Sequence, residues 1–240
     1  MGSLTNALVR FVYMVNGWRV LDQRGSILVL RKRNITMMCH GLGTIYSISN
    51  NDDYYTNNYW DLFSALPGLY EAPKVLMIGL GGGTISRQIS ALYENAELDV
   101  IEIDKEIAEL ASIHFDMGRA RVIVADGSEF VKKTDSRYDL IILDAFKGSK
   151  IPEEFTRGEF FANAYRILSK EGILAINSMD SANPAKTLAS GFKVYSLKSM
   201  LASGNSITIC SKRKDAGQVK SRIAEMKISD NVKKAYAFLE

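Results

Sequence analysis

Residues 74–84 of the chain read Lys74-Val-Leu-Met-Ile-Gly79-Leu-Gly81-Gly82-Gly83-Thr84. An apolar, partly β-branched run that breaks into closely spaced glycines is typical of a buried strand followed by a ligand-binding turn and a helix. Glycine permits positive φ and has no Cβ, so an adenosine-type ligand could lie against bare peptide N–H groups of the turn. The predicted contacts are Gly79, Gly81, Gly82 and Gly83.

A second short strand pattern, Val100-Ile-Glu102-Ile-Asp104, ends in carboxylates. Glu102 follows Gly83 by 19 residues, close to the interval of about 20 residues at which such folds place an acidic side chain on the ribose hydroxyls. We therefore predict that Glu102 binds a ribose. Asp104 is a second candidate for ligand binding, but its position also suits the first turn of a helix.

The next two strand patterns also end in carboxylates, at Asp126-Gly127 and at Asp144-Ala-Phe146. Because open parallel sheets bind ligands outside the carboxyl ends of their strands, we expect these residues near the glycine turn. Asp126 could accept a hydrogen bond from an adenine amino group or could cap a helix over residues 127–133, and the two roles are compatible. Asp144 is either a site residue or a capping aspartate.

Strand and helix patterns alternate from residue 59 onward, which implies βαβ crossovers and a mainly parallel sheet. The predicted strands lie near 75–79, 99–103, 121–125, 139–144 and 172–178, and the predicted helices near 59–66, 84–93, 105–115, 127–133 and 156–169. Two further strand patterns, 192–197 and 206–211, are joined by a link short enough to favour antiparallel pairing. This layout predicts an α/β, Rossmann-like fold of the type found in methyltransferases that depend on S-adenosylmethionine (AdoMet), with a seven-stranded sheet and a C-terminal hairpin. Residues 216–239 have an amphipathic helical pattern.

Residues 8–48 contain short β-prone runs separated by turn signals, among them a run over residues 9–14 and the pair Asn16-Gly17. Asn-Gly between β-prone runs is a strong hairpin signal because both turn positions favour positive φ. We therefore predict a small antiparallel β domain over residues 1–55 and a nucleoside-binding domain over residues 56–240. The exposed edges of the small domain make it a candidate homodimer contact.

The composition excludes several classes of function. The 240 residues are 47% hydrophobic and 24% charged, with a net charge of +3 and no extended basic stripe, so we expect no nucleic-acid binding. No stretch is long and apolar enough to span a bilayer, and no secretion signal is evident. Cys39 and Cys210 have neither metal nor disulfide spacing, which fits a reducing cytoplasm. His40 and His114 lack neighbouring ligands, so we predict no metal site.

Five motifs in order resemble the spermidine synthase (polyamine aminopropyltransferase) family over about residues 20 to 180. They are Tyr59-Trp-Asp with Leu66-Pro67, the glycine turn, residues 100–104, residues 124–127 and Tyr138-Asp-Leu-Ile-Ile-Leu-Asp144. The resemblance implies a small N-terminal β domain, a methyltransferase-like domain, and transfer of an aminopropyl group from decarboxylated AdoMet to a small-molecule diamine.

By the same resemblance, Tyr59 orients the attacking amine and Asp144 accepts its proton or orients it, so these two are the predicted catalytic residues. Glu102 and Asp126 correspond to the ribose and adenine contacts. Asp61, in the same motif as Tyr59, could contact substrate or could face solvent.

The chain departs from the family at two positions. Gly82 replaces an aspartate that holds the ammonium tail of the decarboxylated nucleoside, and Lys147 replaces an aspartate that grips the diamine. The first change makes intact AdoMet admissible as donor, and the second disfavours putrescine. Three hypotheses stay open: a spermidine-synthase-like alkyltransferase with an altered acceptor, an AdoMet-dependent methyltransferase, and a nucleoside-binding protein without catalysis.

Overall fold

The computed structural model describes residues 2–148, 150–178, 190–198 and 205–239. They form a four-stranded antiparallel sheet and a seven-stranded mixed sheet flanked by helices. Among these residues, none of the helices combines the length and the apolar character that crossing a bilayer requires.

The large sheet follows the predicted pattern. Its strands are β5 (Lys74–Ile78), β6 (Glu97–Glu102), β7 (Arg121–Val124), β8 (Tyr138–Leu143), β9 (Leu168–Ser178), β10 (Lys193–Lys198) and β11 (Ser206–Ser211). They lie in the order β10-β11-β9-β8-β5-β6-β7, and β11 pairs antiparallel with both β9 and β10 while β5 to β9 pair in parallel. The predicted fold class, including the C-terminal hairpin, is confirmed.

Helices cover both faces of this sheet, which explains why its central strands are apolar without alternation. On β5, Val75 and Met77 pack into one core, whereas Leu76 and Ile78 pack into a second core on the opposite face. The helices are α2 (Trp60–Phe63), α3 (Thr84–Leu92), α4 (Lys105–His114), α5 (Gly127–Lys133), α6 (Gly158–Ile167), α7 (Ala216–Glu225) and α8 (Asp230–Ala237), with 3-10 turns at Leu66–Leu69 and Glu153–Thr156.

The small sheet is a meander of β1 (Arg19–Arg24), β2 (Ile27–Lys32), β3 (Ile35–His40) and β4 (Thr44–Asn50). The prediction of a strand over residues 9–14 is wrong, because this run lies in helix α1 (Gly2–Val15). Val9 is buried and Tyr13 partly buried against the sheet, and this spacing of four residues is helical. Apolar residues on all sides of α1 hide that period in the sequence.

Asn16-Gly17 ends helix α1 and does not form the predicted hairpin turn. Gly17 has φ +79, and its N–H donates to the Met14 carbonyl. A left-handed glycine after a helix and a glycine in a tight hairpin both require positive φ, so the dipeptide signals a turn without identifying which kind.

Strand β4 packs directly on the start of helix α3. The Thr84 hydroxyl donates to the Ile48 carbonyl at 2.9 Å and accepts from the Ile48 N–H at 3.2 Å, while Arg87 donates to the Asn50 carbonyl. The small sheet therefore braces the segment that follows the glycine turn. The division of the chain near residue 55 into two domains stays a prediction.

Candidate active site

The sheet reverses its strand order between β5 and β8, and the predicted site lies at that point. Strand β5 pairs with β6 on one side and with β8 on the other, so the residues that follow β5 and β8 are neighbours. The Asp144 N–H donates to the Ile78 carbonyl at 2.9 Å, and a Cβ at Gly79 would collide with the Asp144 carbonyl oxygen. A crevice at such a topological switch point is the usual ligand site of doubly wound sheets.

The glycine turn has the predicted backbone, with φ +94 at Gly79, +55 at Gly81 and +79 at Gly83. The expectation that its peptide N–H groups are bare is wrong for Gly79, Gly82 and Gly83. The Gly79 N–H donates to the Ile101 carbonyl at 2.8 Å and the Gly83 N–H to the Leu80 carbonyl at 2.9 Å. The Gly82 N–H donates to Ser47 Oγ at 2.7 Å, and a Cβ at Gly82 would lie 2.9 Å from both Ser47 and Phe115. The small sheet therefore fills one side of the turn, and it also meets Gly81, where a Cβ would lie 2.6 Å from the Tyr46 carbonyl oxygen. Gly79 and Gly81 are partly exposed.

Gly82→Ala should reduce the free energy of unfolding by about 1–3 kcal/mol, since the added methyl overpacks Ser47 and Phe115. Chemical denaturation of both proteins measures this difference. Gly43→Ala is the matched control, because a Cβ at Gly43 has no heavy atom within 4 Å and its φ is not positive. Equal losses in the two variants would contradict the packing argument.

Glu102 points at the glycine turn. Its Oε2 accepts from the Leu80 N–H and its Oε1 from the Asp104 N–H, both at 2.9 Å, and the residue is only 7% exposed. Burial raises the pKa of this carboxyl above its ordinary value, and the backbone bonds oppose the rise. A carboxylate can accept about four hydrogen bonds, so each oxygen retains capacity beyond its backbone contact. Ribose binding by Glu102 stays a prediction.

Asp104 and Asp126 both act as helix caps. Asp104 Oδ1 accepts from the Glu106 and Ile107 N–H groups at the start of α4, and Asp126 Oδ1 accepts from the Glu129 N–H at the start of α5. Their second oxygens accept no hydrogen bond from the described residues. The cap interpretation is therefore confirmed for both, and ligand contact through the second oxygen stays a prediction.

Gly127 begins α5 and is buried, where a Cβ would meet the Ile78 side chain at 2.5 Å. Its structural role is to let α5 approach β5, while contact with a ligand stays a prediction. Ile103, between Glu102 and Asp104, is 68% exposed and supplies an apolar surface beside the turn that the sequence reasoning did not single out.

Tyr59 and Asp144 meet, although 85 residues separate them. The Tyr59 hydroxyl lies 3.3 Å from both Asp144 oxygens, and its ring packs on Trp60 and edge-on against Phe63. Burial and the nearby carboxylate raise the pKa of Tyr59 well above its ordinary value, so it remains a donor. The two predicted catalytic residues thus form a pair at the end of β8.

The Asp144 carboxylate is partly buried and also accepts from Asn177 Nδ2 at 2.7 Å. Its removal from water raises the pKa of Asp144 to about 6, despite the two hydrogen bonds that favour the charged form. A carboxyl with a pKa near neutrality combines a useful charged fraction with a strong affinity for protons, as a general base requires.

Asn177 is a site residue that the sequence reasoning missed. It lies at the carboxyl end of β9, where it is the polar residue that directly follows the apolar run Ile173 to Ile176. A polar residue at the carboxyl end of a parallel strand is the same signal that indicated Glu102, Asp126 and Asp144. Asn205, which donates to Asn177 Oδ1 at 2.9 Å, had no comparable signal.

Asp61 neither faces solvent nor lies free to contact a substrate, so both interpretations are wrong. It is 2% exposed and accepts from the Thr56 N–H and hydroxyl, the Asn57 N–H and Gln88 Nε2. These bonds fix the loop that precedes Tyr59 onto helix α3. Asp61 therefore positions the tyrosine indirectly.

Lys147 and Lys150 pair as an isolated antiparallel bridge a few residues after Asp144. The Lys147 N–H donates to the Lys150 carbonyl at 2.9 Å, Gly148 has φ +66, and both lysine side chains are exposed. Two exposed cationic side chains therefore follow the end of β8. Within the described residues no cluster of three or more His, Cys, Asp or Glu side chains could hold a metal ion.

Comparison with known proteins identifies the family of this chain. The sequence model described as "Spermine/spermidine synthase domain" matches residues 61–202. The chain belongs to the spermine/spermidine synthase family. A polyamine aminopropyltransferase of Vibrio vulnificus is 32% identical over 158 residues, which are 60% of this chain and 53% of that protein. The chain thus spans about half the length of this curated relative of the spermine/spermidine synthase family.

Solved structures agree on the fold. A spermidine synthase in complex with the transition-state analogue AdoDATO aligns with a TM-score of 0.69 at 22% identity, covering 92% of this chain and 85% of that one. Human methyltransferase-like protein 13 in complex with SAH aligns at 0.59 and 18% identity, covering 76% of this chain and 93% of that one. The spermine/spermidine synthase family member described here therefore has the methyltransferase-like fold.

Proposed function

We propose that this chain is a transferase that moves an alkyl group from a sulfonium nucleoside, decarboxylated AdoMet or AdoMet, to an amine. The observation that carries the proposal is the Tyr59–Asp144 pair, which stands at the switch point beside the glycine turn with 3.3 Å between the hydroxyl and each carboxylate oxygen. A positioned base and a positioned donor at a ligand crevice are what an amine nucleophile needs.

The crevice supplies groups that suit a nucleoside. Glu102 faces the turn with spare acceptor capacity for ribose hydroxyls, Ile103 offers an apolar surface to a base, and Asp126 has one oxygen available for an adenine amino group. Relatives named polyamine aminopropyltransferase and a neighbour solved with AdoDATO support a donor of this class.

The reaction is an in-line displacement at the carbon beside the sulfonium. A C–N bond forms as the C–S bond breaks, the electron pair of the C–S bond goes to sulfur, and the leaving thioether needs no proton. The nucleophilic nitrogen must lose a proton, and Asp144 Oδ2 is the acceptor we assign. Tyr59 holds the carboxylate and the amine in line.

The acceptor is expected to differ from a simple diamine. At an effective dielectric constant near 20, two like charges about 4 Å apart repel by about 4 kcal/mol, so Lys147 near a second ammonium group would oppose binding. Because Lys147 is exposed and flexible, it can also turn toward solvent, where it would leave Asp144 to act alone. An amine with one cationic end fits this site better than a dication.

Methyl transfer is the second candidate, and Gly82 favours it. Without a carboxylate at residue 82, the chain lacks the group that would attract an ammonium tail and repel the carboxylate of intact AdoMet. The third candidate, nucleoside binding without catalysis, predicts donor affinity and no product with any acceptor.

Isothermal titration calorimetry with AdoMet, decarboxylated AdoMet and methylthioadenosine tests the proposal, followed by mass spectrometry of products after addition of a panel of amines. Tighter binding of decarboxylated AdoMet and formation of an aminopropyl adduct are expected. Preference for AdoMet with a methylated product would establish the second candidate. Failure of all three nucleosides to bind would contradict the site itself.

A further inference from the structure

Two buried asparagines lead away from the Asp144 carboxylate. Asn205 Nδ2 donates to Asn177 Oδ1 at 2.9 Å, and Asn177 Nδ2 donates to Asp144 Oδ1 at 2.7 Å. Asn177 is 1% exposed and Asn205 is 6% exposed. Asn177 pairs with Ile207 across β9 and β11, and Asn205 immediately precedes β11, so the sheet register brings the two amides together.

A side-chain amide can face a neighbour with its oxygen or with its NH₂ group. An ionised carboxylate only accepts, so it requires the NH₂ group of Asn177. A carboxyl protonated on Oδ1 would need Asn177 to turn and offer its oxygen, which would place the Asn177 NH₂ group against the NH₂ group of Asn205. A carboxyl protonated on Oδ2 still accepts from Asn177 through Oδ1, but this neutral bond is weaker than the bond to the ionised carboxylate. The bond from Asn205 therefore opposes protonation of Oδ1 and holds Asn177 in the orientation that favours the ionised state of Asp144.

We infer that Asn205 is a positioning residue of the site, which acts through Asn177 to keep the Asp144 carboxylate ionised and fixed in one orientation. The catalytic role of Asn205 rests on the proposed function, whereas the hydrogen-bond chain from Asn205 to Asp144 is independent of it. Because Asn177 occupies Oδ1 and the Tyr59 hydroxyl lies equally far from both oxygens, Oδ2 is the oxygen left for the incoming amine.

The other groups around Asp144 do not replace the two asparagines in keeping the carboxylate ionised and oriented. Tyr59 is the titratable side chain that bonds to it, and it remains protonated. Glu102 lies across the glycine turn and is bonded to backbone N–H groups. Lys147 and Lys150 follow on the same loop and are exposed. Within the described part of the chain, the ends of β9 and β11 nearest the site contribute neutral polar side chains, those of Asn177, Ser178, Asn205 and Ser206.

The test is a titration of the Asp144 carboxyl by ¹³C NMR in the nucleoside-free protein, with Asp144→Asn used to assign the signal. Asn205→Leu removes the donor at similar volume and should increase the proton affinity of Asp144 by about two- to tenfold, because the bond from Asn177 loses its fixed orientation and the upper limit is the value of one net hydrogen bond. Asn205→Asp should increase it further, because an aspartate accepts the Asn177 NH₂ group and adds a like charge. Both variants should also shift the acid limb of the kcat profile to higher pH.

Ser178→Ala is the matched control, since Ser178 is also buried at the end of β9 but bonds to the Ser206 carbonyl and not to the carboxylate chain. It should leave the Asp144 titration unchanged. Circular dichroism confirms folding, and if Asn205→Leu does not fold, the nearly isosteric Asn205→Asp decides the question.

An unchanged titration in folded Asn205→Leu would overturn the inference, whether or not the enzyme is active. An unchanged titration in Asn205→Asp would overturn it as well. A shifted titration in a protein that transfers no alkyl group to any amine would sustain the role of Asn205 while removing the proposed function. The two failures are therefore distinguishable.

Discussion

Asp144→Asn should abolish most of the proposed alkyl transfer, with an expected loss of about 10²–10⁴-fold in kcat, the usual contribution of a positioned general base. The amide cannot take the proton of the amine, although it still fills the space between Tyr59 and Asn177. Nucleoside affinity should persist, because Asp144 has no predicted contact with the ribose or the adenine. Steady-state kinetics and calorimetry on the same preparation separate the two effects.

The wild-type rate should fall as the pH drops through about 6, because the Asp144 carboxyl then becomes protonated. Asp139→Asn is the control, since Asp139 lies on the same strand but bonds to the Lys74 N–H at its far end. Full activity in Asp144→Asn would exclude Asp144 as the base.

Although Asp144→Asn should reduce activity, it should increase the stability of the protein relative to wild type as the pH rises. The folded-state pKa of Asp144 is raised from 3.8 to about 6, so proton binding stabilises the native protein below the unfolded-state pKa, and this contribution is lost as pH rises through 6. Asparagine has no such loss. Relative to wild type, Asp144→Asn should therefore gain between about 1 and 3 kcal/mol on going from pH 4 to pH 8, and thermal unfolding at the two pH values measures this gain.

Glu102→Gln should weaken nucleoside binding by at least about tenfold and reduce the free energy of unfolding by about 1–3 kcal/mol. Both carboxylate oxygens accept from backbone N–H groups, of Leu80 and Asp104. A glutamine must place its NH₂ group against one of these donors, so a buried N–H loses its acceptor and the turn loses its anchor. Calorimetry with methylthioadenosine and chemical denaturation report the two effects.

Glu97→Gln is the matched control for this change. Glu97 begins the same strand, β6, but its side chain is 76% exposed and its ion pair with Lys74, at 3.6 Å, lies on the surface. Surface pairs of this kind contribute little. If both variants bind the nucleoside as tightly as wild type, the assignment of Glu102 to the ribose is wrong.

The sequence predicted the large sheet well because its central strands are short apolar runs that each end in glycine or a carboxylate. It failed in the small sheet where local signals are ambiguous. Helix α1 is apolar on several sides. No strand was predicted over β3, because Ile35, Met37, Met38 and Cys39 lack the alternation of a half-exposed strand. Helix α1 packs on the small sheet and β3 pairs with β2, and the local periodicity of the sequence does not reveal such contacts.

At the candidate site, the residue types were predictable and their partners were not. Asp104 and Asp126 cap helices, as their positions suggested. The partner of the Gly82 N–H is Ser47, 35 residues earlier in the chain, and the bond from Asn205 to Asn177 links residues 28 apart. Contacts of this kind depend on how the sheets meet, which no motif encodes.

The bond from the Gly82 N–H to Ser47 means that the glycine turn depends structurally on the small sheet. A truncated protein that starts after β4 would leave the Gly82 N–H without its acceptor and would uncover Phe115 beside it. Grafting this turn onto another scaffold would require β4 to be carried with it. Substitutions in the small sheet can therefore change the shape of the glycine turn without altering any residue that is predicted to contact the nucleoside.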